Sequence, residues 1–207
     1  NENELGKTEA WYVIDAKPNA KLIVGTKNCT KKEFEKAIEE NRTEDYLNVI
    51  DVKKGDAFLI NSGMVHAICE GLIIAEIQQN SDVTYRVYDY GRQRELHVKK
   101  SLDVIDFNLK AENLSNSKNE NFEIFDKVKL CKNKYFAMEK INIQNKYISS
   151  SEKERFHIIT CVDGEGSISG GSISEEIKIG DSILIPANLG QYEIVGNISV
   201  LRSYVTI

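Results

Sequence analysis

The sequence has few of the residues that build zinc knuckles, redox pairs or membrane anchors. Its four cysteines lie far apart and form no CxxC pair, which excludes a zinc knuckle and a thiol redox motif. No apolar run approaches the roughly 20 residues that a membrane-spanning helix needs, and the first residues show no secretory pattern. We therefore expect buried free thiols, a cytoplasmic location and no membrane partner.

The chain also lacks the excess of positive charge that nucleic-acid binding requires. It has 27 basic and 32 acidic residues, a formal net charge of −5, and the basic residues are scattered among the acidic ones. This pattern predicts no nucleic-acid partner. An anionic ligand must therefore be held by a local group of residues. A length of 207 residues allows two small domains.

Short β-branched and aromatic runs, separated by turn residues, predict a mainly β protein. Predicted strands in the first half cover residues 11–14, 21–24, 57–60, 72–77 and 84–90, and those in the second half cover 135–143, 156–162, 182–185, 192–195 and 200–205. The polar stretch 110–121 has little to bury and predicts a linker. It divides the chain into domains at 1–109 and 122–207.

One amphipathic helix interrupts the strands of the first domain. Thr30 and Glu33 have the spacing of a capping box, and Phe34, Ala37 and Ile38 follow at the spacing of one helical face. A short second helix is predicted at 44–49. The first domain therefore contains a small helical insertion at about residues 30–49.

The two halves contain an internal repeat. Residues 55–68 align without gaps on residues 180–193: each copy has Gly-Asp, an apolar strand and a short stretch with small residues. The next inward position holds His66 in the first copy and Gln191 in the second. Any pair of β-hairpins can share such a pattern, but it also resembles the second motif of cupins. The sequence thus favours a double cupin, with two β-barrel or jelly-roll domains.

Four segments, taken in order, resemble a known enzyme family. They are Gly-Lys-Thr-Glu-Ala-Trp at 6–11, Ser-Gly-Met-Val-His-Ala-Ile at 62–68, the run from Gln78 to Tyr90 that contains Tyr-Arg-Val-Tyr-Asp, and Arg-Glu-Leu-His at 94–97. Together they resemble the type I mannose-6-phosphate isomerases of the cupin superfamily. The resemblance implies a metal-dependent interconversion of mannose 6-phosphate and fructose 6-phosphate.

The resemblance also implies roles for single residues. By position, Glu9 and His66 match zinc ligands, and Arg86 matches the catalytic arginine that contacts substrate oxygens. The remaining candidates match pocket or entrance positions: Lys7 and Asp82 for proton transfer, with Lys7 and His97 binding substrate. In the second domain Gln191 is a weak metal ligand, so that cupin is expected to be metal-free.

The family supplies further zinc ligands from a Gln-x-His motif upstream of the Lys-Thr-Glu segment, and this sequence contains no such motif. Catalytic zinc usually takes three protein ligands. We therefore expect an amino-terminally truncated isomerase, monomeric, with two further ligands on the missing segment. Taken by itself, the 207-residue chain would be inactive or nearly so.

Other interpretations of these residues remain open. Alternating Lys7 and Glu9 is common on exposed strands, His97 and His157 can be surface or core residues, and Asp82 and Arg86 can lie on a solvated strand face. If that strand is regular, about 13 Å separates Asp82 from Arg86, so joint action needs a bend near Ser81. The alternative function is a non-catalytic cupin that binds a sugar or sugar phosphate. An iron-dependent cupin dioxygenase is disfavoured because its two-histidine motif is absent.

Overall fold

Strands make up most of the structure, a computed structural model that describes residues 3–115 and 119–206. The described residues contain fifteen strands and two α-helices, so the expected mainly β class is confirmed. The chain divides into two units, Asn1–Asn113 and Leu114–Ile207. This division lies within the stretch 110–121 predicted as a linker, which contains two short strands and whose residues 116–118 lie outside the described residues.

The first unit consists of two antiparallel sheets with two helices. In chain order its elements are β1 (Glu9–Ala16), β2 (Lys21–Thr26), α1 (Lys31–Glu39), a 3₁₀ turn (Thr43–Tyr46), β3 (Leu47–Asp51), β4 (Ala57–Ile60), β5 (His66–Ile68), β6 (Leu72–Gln78), α2 (Val98–Val104) and β7 (Glu112–Asn113). The sheets are ordered β6-β1-β4-β7 and β3-β2-β5. Within the described residues, neither helix has the length and apolarity needed to cross a membrane.

Strand β2 is apolar on both faces because each face packs on a different layer. Leu22 and Val24 join Trp11 in a cluster between the two sheets. Ile23 points the other way and packs in a second cluster with Phe34 of α1. Burial of both faces explains the continuous apolar run in β2. It also places β1, which carries Trp11, against the interior of the unit.

The capping box at Thr30 is formed. Its hydroxyl accepts a hydrogen bond from Glu33 N at 3.3 Å, and Glu33 Oε2 accepts one from Thr30 N at 2.7 Å. The predicted second helix at 44–49 is wrong. A single 3₁₀ turn precedes β3. Within β3, Asn48 Nδ2 donates to Val24 O at 2.9 Å, and the β-branched residues that follow favour pairing with β2.

The predicted strand at 84–90 is also wrong. No helix or strand occupies the described residues between the end of β6 and the start of α2. Positive φ angles at Tyr90, Gly91 and Gln93 turn the chain sharply, and the Asp89 carboxylate accepts a hydrogen bond from Arg94 N. These side-chain and turn contacts take the place of the backbone hydrogen bonds that a strand makes within a sheet. We call residues 79–97 the irregular segment.

The second unit is built on one large antiparallel sheet. Its strands are β8 (Asn119–Asn121), β9 (Phe125–Lys132), β10 (Phe136–Ile143), β11 (Lys146–Ser150), β12 (His157–Gly170), β13 (Ile173–Lys178), β14 (Ser182–Ile185) and β15 (Gln191–Val205). The order is β13-β12-β15-β10-β9-β8, with β11 paired to β15 and β14 to β12. The strands predicted at 192–195 and 200–205 are one strand, because Gly196 lets the backbone of β15 lie close to β12.

The internal repeat has the same hydrogen bonds in both units. Gly55 N donates to Val13 O at 2.9 Å, and Lys53 N donates to Asp56 Oδ2 at 2.9 Å. The second copy repeats them, from Gly180 N to Cys161 O at 3.0 Å and from Lys178 N to Asp181 Oδ2 at 3.0 Å. Both glycines have a φ of 93°. The aligned segments are therefore the same structural element in each unit.

Candidate active site

A cavity of about 380 Å³ lies in the first unit. Residues 62–67, which lead into β5, form one wall, and residues 83–88 of the irregular segment form another. Lys7 reaches in from the start of β1, while Arg92 and Arg94 line the remaining side. The volume falls in the range of sites that enclose a small organic ligand. Three residues predicted from the sequence, Lys7, His66 and Arg86, line this cavity.

Glu9 lies beside the cavity on β1 and is almost fully buried, with 1% of its surface exposed. It is paired with Ile60 of β4 and Gln78 of β6. Its Oε2 accepts a hydrogen bond from Trp11 Nε1 at 2.8 Å. Its Oε1 lies 3.1 Å from Lys7 Nζ as an ion pair but accepts no hydrogen bond within the described part of the chain. A buried carboxylate oxygen thus retains a lone pair for a ligand.

His66 points its Nε2 atom toward that free oxygen. The distance from His66 Nε2 to Glu9 Oε1 is 3.9 Å. On the other side of the ring, His66 Nδ1 lies 2.9 Å from Met64 O. Because a carbonyl oxygen can only accept, Nδ1 carries a proton, and in the neutral ring Nε2 carries the lone pair. A backbone carbonyl that holds one ring nitrogen in this way is typical of metal-binding histidines.

The atoms of Glu9 and His66 have the chemical types and the spacing of two ligands in a metal site. Ligands at about 2.0–2.2 Å from zinc can lie up to about 4 Å apart, and the two candidate atoms are 3.9 Å apart. Across residues 3–115 and 119–206, no group of three or more His, Cys, Asp or Glu side chains is placed to hold a metal. Glu9 Oε1 and His66 Nε2 are thus of the types and at the spacing that fit two ligands of one divalent cation.

Glu76 is a site residue that sequence reasoning missed. It pairs with Trp11 across β1 and β6, and Trp11 Nε1 lies 3.1 Å from its Oε2. Partial burial, followed by the nearby Glu9 carboxylate, raises the pKa of Glu76. One indole N–H therefore connects two carboxylates. An acidic residue within the apolar run of β6 was the available signal.

Arg86 lies in the irregular segment, where several contacts hold it. Its main-chain N–H donates to His97 Nδ1 at 3.3 Å, and its carbonyl accepts from His97 N at 2.7 Å. Its side chain donates from Nη1 to Glu95 O at 3.1 Å and remains 28% exposed. The guanidinium is thus tethered at one nitrogen and open to the cavity at others.

Asp82 and His97 are not brought to the cavity wall. Asp82 is exposed and is not among the lining residues, although Ser81 makes the expected bend by accepting a hydrogen bond from Val83 N at 3.3 Å. His97 is partly buried at the start of α2 and supports the Arg86 backbone. Neither residue therefore lines the cavity with Lys7, His66 and Arg86, although His97 contacts the backbone of Arg86.

Three arginines that line the cavity converge on one buried carboxylate. Asp89 Oδ1 accepts a hydrogen bond from Arg94 Nε at 2.7 Å and lies 3.8 Å from both Arg86 Nε and Arg92 Nε. Asp89 Oδ2 accepts from Arg94 N at 2.8 Å. These hydrogen bonds from Arg94 lower the pKa of Asp89. The cluster was missed because Arg86 and Asp89 were assigned to a regular strand, which would not turn back toward Arg92 and Arg94.

The corresponding positions of the second unit carry different chemistry. His157 pairs with Ile185 as Glu9 pairs with Ile60, so His157 takes the place of Glu9. His157 Nδ1 lies 2.9 Å from Tyr192 OH, and burial followed by the Arg202 cation lowers its pKa. Arg202 is itself paired with the buried Glu139. This interior is occupied by protein side chains that hydrogen-bond to one another.

Comparison with known proteins agrees with this geometry. The family model described as mannose-6-phosphate isomerase, cupin domain, matches residues 126–205. Mannose-6-phosphate isomerase ManA of Bacillus subtilis is 37% identical over 97% of this chain. The chain is similar to mannose-6-phosphate isomerases over almost its whole length. It covers 65% of the length of ManA, and it covers 66% of the 31% identical mannose-6-phosphate isomerase of Streptococcus mutans.

Solved structures from the family have the same fold. The crystal structure of mannose 6-phosphate isomerase from Bacillus subtilis matches with a TM-score of 0.88 and 32% identity, over 98% of this chain and 66% of that one. A K132A mutant of phosphomannose isomerase from Salmonella typhimurium matches with a TM-score of 0.75 at only 12% identity, over 97% and 68% of the two chains. The second likeness concerns the fold alone.

Proposed function

We propose that the protein containing these residues is a mannose-6-phosphate isomerase that interconverts mannose 6-phosphate and fructose 6-phosphate in the cavity of the first unit. The observation that carries the proposal is the position of Glu9 and His66. A free carboxylate oxygen and an imidazole lone pair face each other across 3.9 Å beside a cavity lined by Lys7 and Arg86. The names of the family relatives give the substrate.

The cavity lining supports an anionic substrate. Lys7, Arg86, Arg92 and Arg94 are cationic, whereas Glu4 is the acidic residue among the lining positions of the described chain. Guanidinium groups bind phosphate through paired, charge-assisted hydrogen bonds. A local excess of positive charge therefore favours a sugar phosphate even though the chain is negative overall.

The reaction requires removal of a proton next to a carbonyl and stabilisation of the enediolate oxygen that results. Arg86 can donate hydrogen bonds to that oxygen from the nitrogens that Glu95 O does not use. Lys7 is held at Glu9 and faces the cavity, where its amine can take the proton from one sugar carbon and the resulting ammonium can return it to the neighbouring carbon. Asp82 has no part in this mechanism because it lies outside the cavity lining.

Glu9 and His66 are the residues that would hold a zinc ion. When bound, zinc would polarise the sugar oxygens as a Lewis acid. Trp11 orients Glu9 by hydrogen-bonding Oε2, which leaves Oε1 directed at His66. Met64 O orients the imidazole in the same way. The protein thus aims both ligands before a cation arrives.

The wider proposal is a double cupin that acts as a cytoplasmic monomer, with the metal in the first unit alone. The repeated Gly-Asp turn supports the double cupin. His157 and Gln191 in place of Glu9 and His66 support a second unit without metal. Four free cysteines agree with a reducing compartment. Sedimentation analysis would test the monomer.

A coupled assay for fructose 6-phosphate tests the function in the full-length protein. With zinc, wild type should turn over mannose 6-phosphate, and a chelator or the change His66→Gln should abolish turnover. Asp51→Asn is the matched control because Asp51 is exposed on β3 and pairs only loosely with Lys21, at 3.8 Å. A zinc-loaded protein that neither converts nor binds mannose 6-phosphate would contradict the proposal.

A second candidate function follows from the small number of candidate metal ligands, because the described residues place no more than two together. A non-catalytic cupin would bind mannose 6-phosphate in the same cationic cavity without turnover and without stoichiometric zinc. Isothermal titration with the sugar phosphate, in the presence and absence of chelator, separates the two functions. Chelator-resistant binding with no turnover would favour the non-catalytic module.

A further inference from the structure

The irregular segment lines much of the cavity without the support of a helix or strand. Residues 83–88, Tyr90, Arg92 and Arg94 face the cavity, and all lie between the end of β6 and the start of α2. Backbone that lacks a hydrogen-bonded ladder needs side-chain contacts to keep one conformation. The contacts that fix the conformation of this segment therefore determine the direction of its arginine side chains.

Packing holds it only in part from behind, where Val87 and Tyr88 pack against the cluster that contains Phe34. A second cavity, of about 290 Å³, lies on the far side of the same segment, between it and residues near α1 such as Ile38 and Thr43. Tyr88, Asp89 and Arg94 line this second cavity, and Tyr88 and Arg94 line the first as well. With a cavity on each side, the segment relies on polar contacts more than on a filled core.

Asp89 makes the most concentrated of these contacts. It is only 5% exposed and binds Arg94 through the main-chain N–H and through the side chain. The same carboxylate faces Arg86 Nε and Arg92 Nε, each at 3.8 Å. Without its negative charge, three guanidinium groups would repel one another across a narrow space.

We propose that Asp89 is a positioning residue that aims Arg86 and Arg94 at the bound sugar phosphate. This inference rests on the proposed function of the cavity. Asp89 itself acts through the arginines, because its oxygens are taken up by them and it does not line the first cavity. Its carboxylate determines the direction of the donors that meet the substrate.

The test is the dissociation constant for mannose 6-phosphate in the full-length protein, measured by isothermal titration. Asp89→Asn keeps the size of the side chain but removes the charge, and it should weaken binding by roughly 100-fold, the scale of losing one charge-assisted hydrogen bond to the phosphate. Asp51→Asn, in an exposed ion pair on β3, should bind as wild type does. Zinc affinity should be unchanged in both variants.

A double-mutant cycle separates positioning from a general loss of stability. In an Arg94→Gln background, Asp89→Asn should cause less than the 100-fold weakening, because the arginine that hydrogen-bonds directly to Asp89 is gone and only Arg86 remains to be positioned. Equal losses in both backgrounds would overturn the proposal. If Asp89→Asn does not fold, Asp89→Glu, which keeps the charge but displaces it by one methylene, should fold and still weaken binding.

The outcomes also separate this inference from the proposed function. Wild-type affinity in Asp89→Asn would overturn the positioning role and leave the isomerase proposal intact. No binding of mannose 6-phosphate by zinc-loaded wild type would overturn both. Weakened binding in Asp89→Asn, with the smaller effect in the Arg94→Gln background and unchanged zinc affinity, supports the role of Asp89.

Discussion

His157 holds, in the second unit, the position that Glu9 holds in the first. Each residue pairs with the last residue of the apolar strand after the Gly-Asp turn, Ile185 and Ile60 respectively. Glu9 keeps an oxygen free of hydrogen bonds, whereas the imidazole of His157 is paired with Tyr192 OH. The same backbone frame therefore presents a carboxylate oxygen without a hydrogen bond in one unit and a hydrogen-bonded core residue in the other.

The shared frame predicts matched effects of substitution at the two turn glycines. Gly55→Ala and Gly180→Ala each place a Cβ in open space but force a non-glycine residue to a φ of 93°. Each change should lower stability by about 1–3 kcal/mol through backbone strain alone. Thermal unfolding measures both. A loss at one glycine only would argue against equivalent turns.

His157 should make stability depend on pH. Its pKa is lowered by burial and by Arg202, so the folded state favours the neutral ring. Stability is then present above the unfolded pKa of about 6.5 and is lost as pH falls below it toward the lower pKa of the folded state. The melting temperature of His157→Gln should fall less than that of wild type between about pH 7.5 and 5.5. An equal fall in the melting temperatures of wild type and His157→Gln would contradict this prediction.

Trp11 should govern zinc affinity without touching zinc. Trp11→Phe keeps most of the buried ring but removes the N–H that binds Glu9 Oε2 and reaches Glu76 Oε2. Loss of a partner that orients a ligand typically weakens metal binding by about 10- to 100-fold. Titration with zinc measures the change. Unaltered affinity in a folded Trp11→Phe protein would show that Glu9 needs no such support.

The change Arg86→Lys should distinguish the effect of the positive charge of Arg86 from the effect of its hydrogen-bond donor geometry. Lysine keeps the positive charge but loses the planar set of donors with which Arg86 binds Glu95 O and faces the cavity. We expect turnover to fall by about 10²–10³-fold, with a smaller effect on the binding of mannose 6-phosphate. Steady-state kinetics compared with titration measures both quantities. Near-normal turnover would remove Arg86 from the catalytic residues.

The sequence predicted features that depend on local pattern. The Gly-Asp repeat, the capping box at Thr30 and most strands follow from short runs of residues whose conformations are locally determined. Glu9 and His66 were expected to share one barrel, and their nearest side-chain atoms lie 3.9 Å apart. Whether they bind zinc stays a prediction.

Features that depend on the path of the backbone or on the pairing of separate strands were not predictable in the same way. Residues 84–90 have the composition of a strand, but the turn at Tyr90 and the arginines around Asp89 hold them in an irregular path. Glu76 became visible only when the register of β6 on β1 placed it opposite Trp11. The register joins two separate strands, and the arginine cluster depends on a backbone path that the strand-like composition of residues 84–90 did not predict.

The most direct measurement is anomalous diffraction at the zinc edge from crystals of the full-length protein grown with zinc. We expect one strong peak within coordination distance of both Glu9 Oε1 and His66 Nε2, and its loss in His66→Gln. A peak elsewhere, or equal occupancy in wild type and His66→Gln, would contradict a metal held by these two residues.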